Sequence, residues 1–195
     1  AQCLVGSEMC IRDSNYNFRI NLADYKRVIG VADTNVSGRF TLAGSHVLTF
    51  DRAALPRRKV MSWYKAPSKP DTEYACGSDD STFPLRELHR MRVDVAVAER
   101  GYAYYAENRV RYLCLDGMKG YALVEGTEPY DVEFVYSDGM IYALTCSCYC
   151  VGNCKHEVAA MLQLREMLDR IEENYAGEYA AAGYFAAVAK DALLS

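Results

Sequence analysis

Between Thr145 and Ala160 the chain reads TCSCYCVGNCKHEVAA, which gathers four cysteines and a histidine into the eleven residues from Cys146 to His156. Cys146 and Cys148 are spaced as Cys-x-Cys, and Cys154 and His156 as Cys-x-His. Three thiolates and one imidazole complete a tetrahedral sphere for zinc, with no position left for water or substrate. A site closed in this way builds structure and performs no chemistry of its own. Residues i and i+2 of a strand project to one side, so Cys146 and Cys148 can reach the same ion from a strand end. Cys150 shares that side on an extended chain, so on spacing alone it can stand in for either.

The flanks say what the cluster would join. Val132, Phe134 and Tyr136 alternate on one arm of an expected β-hairpin, Ile141 and Ala143 on the other, with Ser137-Asp138-Gly139 as turn chemistry between them. Gly152-Asn153 turns the chain, and a helix is expected from Cys154 or Lys155. Val158, Met161, Leu162, Arg165, Leu168 and Ile171 recur at helical spacing, which predicts one stripe facing a core. A thiolate at a helix N-terminus is favoured by the dipole and by free N–H groups, which suits Cys154. His156 needs an acceptor for its second ring nitrogen, and the sequence does not identify one.

Other uses of these residues fit less well. Disulfides or inert buried thiols would not need a histidine beside the cysteines. A thiol nucleophile with a histidine base would need an oxyanion donor and an orienting group, and neither is visible.

Cys-x-Cys, a short loop and Cys-x-His at the start of a helix resemble the SWIM-type zinc finger. Tyr130-x-Val132, Cys146-Ser147-Cys148 and Cys154-Lys155-His156 followed by Val158-Ala159-Ala160 carry the likeness. Upstream, Arg100-Gly101-Tyr102, Arg109-Val110 and Val124-Glu125-Gly126 resemble the stretch that precedes the finger in bacterial members. The resemblance spans about Val95 to Leu168. It favours Cys146 and Cys148 over Cys150 as ligands, together with Cys154 and His156. The five-residue loop between the ligand pairs is short for that family, and Cys150 is an extra thiol. The resemblance implies a non-catalytic module that binds DNA or a protein, such as a fragment or partner of a Swi/Snf-type helicase.

Elsewhere the chain reads as follows. AQCLVGSEMCIRDS resembles the translated adapter tail of metagenome-derived reading frames, so residues 1–14 are expected to be non-native. Tyr16, Phe18, Ile20 and Leu22 alternate, and Arg39–Leu42 and Val47–Phe50 follow between turns at Gly38 and Gly44, predicting short strands. Pro84 after Ser81-Thr82 suggests a helix start into LRELHRM. Val93 to Arg109 reads two ways, since VDVAVA alternates like a strand while AERGYAYYAEN suits a helix despite Gly101, which costs about 1 kcal/mol there; by the resemblance it is helical from about residue 94. Val110–Leu115 and Gly120–Val124 are expected strands around an Asp116-Gly117 turn. The Ala- and Tyr-rich end is expected to add a short helix. The result is an α+β chain, with a small antiparallel sheet plus helices and a structural zinc site joining a hairpin to a helix. Its expected parts are a β-rich region over 15–90 with a basic loop at 52–69, the zinc-binding domain over 91–175, and a helical tail over 176–195.

Arg52 to Lys69 carries six basic residues and no acidic one, with the only tryptophan inside it. Arg57, Arg58, Lys59 and Trp63, together with Lys155 beside the cluster, are the candidate nucleic-acid contacts, since cations neutralise phosphates and a ring stacks on bases. The plainer alternative is a solvated loop balancing the acidic stretch Asp71–Asp80. The helix after the cluster bears Glu157, Glu166, Asp169, Glu172 and Glu173, which makes it a poor reader of a DNA groove. The net charge of −4 fits a protein partner as well as a nucleic acid. Tyr102, Tyr104, Tyr105 and Tyr112 could line a binding surface, although core packing is the commoner use. His46 and His89 lack ligand spacing. No nucleotide-binding glycine loop or Gly-x-Ser-x-Gly elbow occurs, so no small-molecule substrate is expected. The absence of an apolar span and of a signal-like start, with cysteines clustered at one site, leads to a cytoplasmic expectation.

Overall fold

A computed structural model of the chain describes residues 16–17, 39–52, 54, 82–150 and 152–190. The fold is α+β. Among the described residues nine strands form one antiparallel sheet: β1 (Tyr16–Asn17), β2 (Arg39–Ala43), β3 (His46–Thr49), β4 (Phe83–Pro84), β5 (Val110–Asp116), β6 (Lys119–Glu125), β7 (Pro129–Ser137), β8 (Met140–Cys146) and β9 (Tyr184–Ala189). Their order is β1-β2-β3-β9-β5-β6-β7-β8-β4. The helices are α1 (Val95–Ala106), α2 (Lys155–Asn174) and α3 (Ala176–Ala182), with a 3₁₀ turn at Leu88–Arg90.

One row of side chains explains how the sheet serves the cluster. Leu48, Ala187, Leu113, Ala122, Val132 and Cys146 lie side by side on six successive strands. All six are buried in the same core as Leu164, Met167 and Ile171 of α2, which lies across β5 to β8. Cys146 is the end of that row, where the sheet meets the start of α2. Gly120, in β6, keeps the neighbouring row tight, because a Cβ there would stand 1.9 Å from the Phe134 ring.

The hairpin β7–β8 turns as its sequence demands. Asp138 (φ 51°) and Gly139 (φ 79°) both occupy the left-handed region, as a type I′ turn requires. Beyond the turn, simple alternation fails. Ile141 faces Tyr136 and Tyr142 faces Val135, but Thr145 faces Glu133 and Cys146 faces Val132. Ala143 and Leu144 therefore share the place opposite Phe134, a β-bulge with Ala143 at φ 48°. The expectation that Ala143 follows Ile141 into the core is corrected: Ala143 is exposed and Leu144 is buried.

Other expectations also change. Pro84 does not start a helix. Phe83 and Leu85 are buried and Leu85 N–H donates to Gly139 O at 2.9 Å, so the segment is tied to the β7–β8 turn at the sheet edge and coils only as a 3₁₀ turn. The expected helical tail ends at Ala182. Gly183, at φ 59°, caps α3, and Tyr184–Ala189 then enters the sheet between β3 and β5. Its alanines read as helix formers, but a strand buried on both faces between bulkier neighbours favours small side chains. The sheet thereby runs across both expected boundaries, near residues 90 and 175. The buried stripe of α2 is also wider than expected, with Ala159, Ala160, Leu164 and Met167 inside it and Leu162 and Leu168 only half-buried. The reason is α1, which covers a second side of the helix.

Gly101 belongs to that helix–helix contact. A Cβ on it would meet Val158 at 2.5 Å and the Lys155 carbonyl at 3.0 Å, so the cost of glycine in α1 is offset by close approach to α2. Phe18, Ile20, Leu22 and Gly38 lie outside the described residues.

Left-handed backbone costs a residue with a Cβ about 1–2 kcal/mol. Replacing Ala143 with glycine is therefore expected to raise the unfolding free energy by about 1 kcal/mol, after allowing for glycine's larger entropy loss. Ala143→Val should lower it. Urea midpoints at constant m-value check both.

Candidate metal centre

Two segments supply the cluster. Cys146 ends β8, and Cys148 follows after Ser147, whose backbone and side chain both tie back to β7. Ser147 N–H donates to Asp131 O at 2.8 Å, and Asp131 N–H donates to Ser147 Oγ at 2.9 Å. From the helix side, Cys154 is the N-cap of α2 and His156 its second residue. Glu157 completes a capping box: its Oε2 accepts the Cys154 N–H at 2.9 Å, and the Cys154 side chain accepts an N–H of the first turn. The loop between is anchored by Asn153 Nδ2, which donates to Arg92 O at 3.1 Å.

The donor atoms of Cys146, Cys148, Cys154 and His156 all lie within 4.8 Å of one another, and all four residues are buried. His156 Nδ1 is 3.7 Å from Cys146 Sγ and 3.8 Å from Cys154 Sγ. A tetrahedral ion with metal–sulfur bonds near 2.3 Å and metal–nitrogen bonds near 2.05 Å has sulfur–nitrogen edges of about 3.6 Å. The cluster could thus hold a metal ion with little rearrangement. Its protonation points the same way. Hydrogen bonds from the Cys146 and Cys154 thiols hold Cys148 well below the usual thiol range, while the bond to Cys148, then that to Cys154 and burial, push Cys146 up. The crowded sulfurs thus favour a thiolate, the form that binds metal, at Cys148, while Cys154 is pushed up like Cys146.

The histidine is held in an unexpected way. Its Nε2 is buried and has no hydrogen-bond partner among the described residues. Instead the ring stacks on Tyr130, with centroids 4.1 Å apart and planes 17° off parallel, and meets Tyr104 at 5.6 Å and 58°. Gly126 makes room for this stack, since a Cβ there would stand 2.8 Å from Tyr130 and 3.3 Å from His156 Nε2. Two tyrosines therefore fix the orientation that an acceptor was expected to fix.

The remaining candidates fall as follows. Cys150 is exposed and not among the four clustered donors. Lys155 is half-buried with its Nζ 4.5 Å from the Tyr104 ring centroid. Arg57, Arg58, Lys59 and Trp63 lie outside the described residues. His46 is structural: Nε2 donates to Val110 O at 2.8 Å and Nδ1 pairs with Ser45 Oγ at 2.9 Å. His89 is exposed beside Glu87. Tyr112 is buried, whereas Tyr105 donates its hydroxyl to Glu166 at 3.0 Å. That bond, with burial as the larger cause, pushes Tyr105 up to about 12. Tyr104 and Tyr130 around His156, Gly126 beneath them, and Glu157 take positioning roles that the sequence did not assign to them. Only Glu157 carried a local signal, the capping-box spacing from Cys154.

No protein-family model matches the chain, and no curated protein or solved structure is significantly similar to it. Among the described residues no helix is long and apolar enough to cross a membrane.

Residues that orient a metal-ligating histidine typically change metal affinity about 10–100-fold when removed. Tyr130→Ala is accordingly expected to weaken metal binding by about tenfold, whereas Tyr130→Phe, which keeps the stack, should leave it nearly unchanged. Competition against a chromophoric chelator measures both.

Proposed function

We propose that the chain is a non-catalytic zinc-binding module of the SWIM type, in which the metal joins the end of β8 to the start of α2. The observation that carries this reading is the closed donor set: three cysteines and a histidine, all buried, converging from two segments. Thiolates with one imidazole suit zinc. The ion would supply cross-linking and charge compensation, and the four donors fill its sphere. Structural zinc in small fingers contributes about 10–16 kcal/mol, comparable to the whole stability of an ordinary domain at about 5–15 kcal/mol. Residues 145–160 should therefore depend on the ion for their order. With one equivalent of zinc, amide exchange in that stretch is expected to slow strongly, and chelation should restore it. Cobalt in place of zinc should give the intense visible bands of a tetrahedral thiolate site. Exchange rates unchanged by metal would sink the reading.

The partner in this reading is nucleic acid, engaged by Lys155 and by the basic tract with Arg57, Arg58, Lys59 and Trp63. Supporting it are the composition of that tract and a lysine placed beside the metal cluster on an aromatic ring. Anisotropy of labelled DNA with the zinc-loaded chain is expected to show binding that weakens as salt rises, and further when Arg57, Arg58 and Lys59 are neutralised. A second reading, a protein-interaction module, is favoured by the acidic outer face of α2, where Asp169 and Glu172 pair with Arg86 at 3.1 and 3.0 Å. Folded, metal-loaded protein that ignores DNA at low salt would select that second reading.

A further inference from the structure

Resting on the nucleic-acid reading, the surface beside the metal cluster narrows both the strand type and the contact residues. We infer that Lys155, Arg109, Tyr104 and Tyr149 form a contact surface for single-stranded nucleic acid. Two cations converge on one ring there: Lys155 Nζ lies 4.5 Å and Arg109 Cζ 4.7 Å from the Tyr104 centroid. Arg109 has a carboxylate neighbour, with its Nε 2.6 Å from Glu107 Oε2. Lys155 has none within ion-pair distance among the described residues, so it is the cation with charge to offer a phosphate.

The aromatic part comes from the ligand loop. Tyr149, 52% exposed, sits between the clustered Cys148 and the exposed Cys150, so its backbone is pinned beside a donor while its ring reaches solvent. Tyr149 follows Cys148 and Lys155 follows Cys154, two residues whose sulfurs lie within 4.8 Å of one another, so the tyrosine and the lysine both flank the cluster. A cation flanked by exposed or half-exposed rings matches a backbone phosphate with an unpaired base stacked beside it. A duplex fits poorly. The exposed face of α2 carries Asp169, Glu172 and Glu173, so this helix does not present a cationic face to a groove.

The test uses the full zinc-loaded chain, a fluorescein-labelled oligothymidine and a labelled duplex of mixed sequence, followed by anisotropy across a salt series. The single strand is expected to bind more tightly than the duplex. Lys155→Ala should reduce the salt slope by about 0.7, the loss of one phosphate contact on a single strand. Tyr149→Ala should weaken single-strand binding about tenfold with the slope unchanged. Zinc affinity of each variant is measured alongside. A Lys155→Ala protein whose zinc affinity falls while the loaded form binds DNA as before would assign the lysine to balancing the cluster's charge, and would overturn the inference. Equal or tighter duplex binding would overturn it too. Strand binding that is indifferent to Lys155 and Tyr149 but lost with Arg57, Arg58 and Lys59 would remove this surface and leave the nucleic-acid reading standing. No binding to either probe would remove both.

Discussion

Ile141 and Cys146 are an odd number of residues apart, yet both must face α2. A regular strand cannot do that, because side chains alternate with a period of two. The bulge at Ala143 and Leu144 resolves the conflict by setting two residues opposite Phe134. Without it Cys146 would fall opposite Asp131, and its thiol would point away from the helix that carries Cys154 and His156. One residue in left-handed backbone thus decides whether the cluster can form, and the strain of about 1–2 kcal/mol is small beside what four buried donors contribute when bound to metal.

The helix side is adjusted with equal economy of space. Cys154 cannot shift without breaking the capping box with Glu157, and His156 cannot rotate without leaving the stack on Tyr130. Gly126 and Gly101 have no side chains to obstruct these contacts, one under the tyrosine–histidine stack and the other where α1 crosses the first turn of α2. The cluster is therefore supported from the sheet, from both helices and from the loop.

In the proposed function the closed, buried site turns over no substrate and instead fixes surfaces. The ones it fixes are unlike each other. On one side, Lys155 and Arg109 each lie against the Tyr104 ring. On the other, the outer face of α2 is acidic and engages Arg86. The metal cluster joins the two, so its loss would disorganise both together.

The sequence by itself determined the Cys-x-Cys and Cys-x-His pairs, with Cys150 as an open alternative, the helix that starts beside Cys154, the Asp138-Gly139 turn, and the α+β class, because each follows from spacing or chemistry within a few neighbouring residues. Tertiary structure alone decided the rest. Tyr184–Ala189 has the composition of a helix and becomes a central strand because β3 and β5 flank it. Ala143 breaks the alternation because distant core positions demand it. His156 is oriented by Tyr130 and Tyr104, which lie 26 and 52 residues away in the chain. Such choices depend on which surfaces meet across the fold, and packing between distant segments leaves no periodic trace in the local sequence.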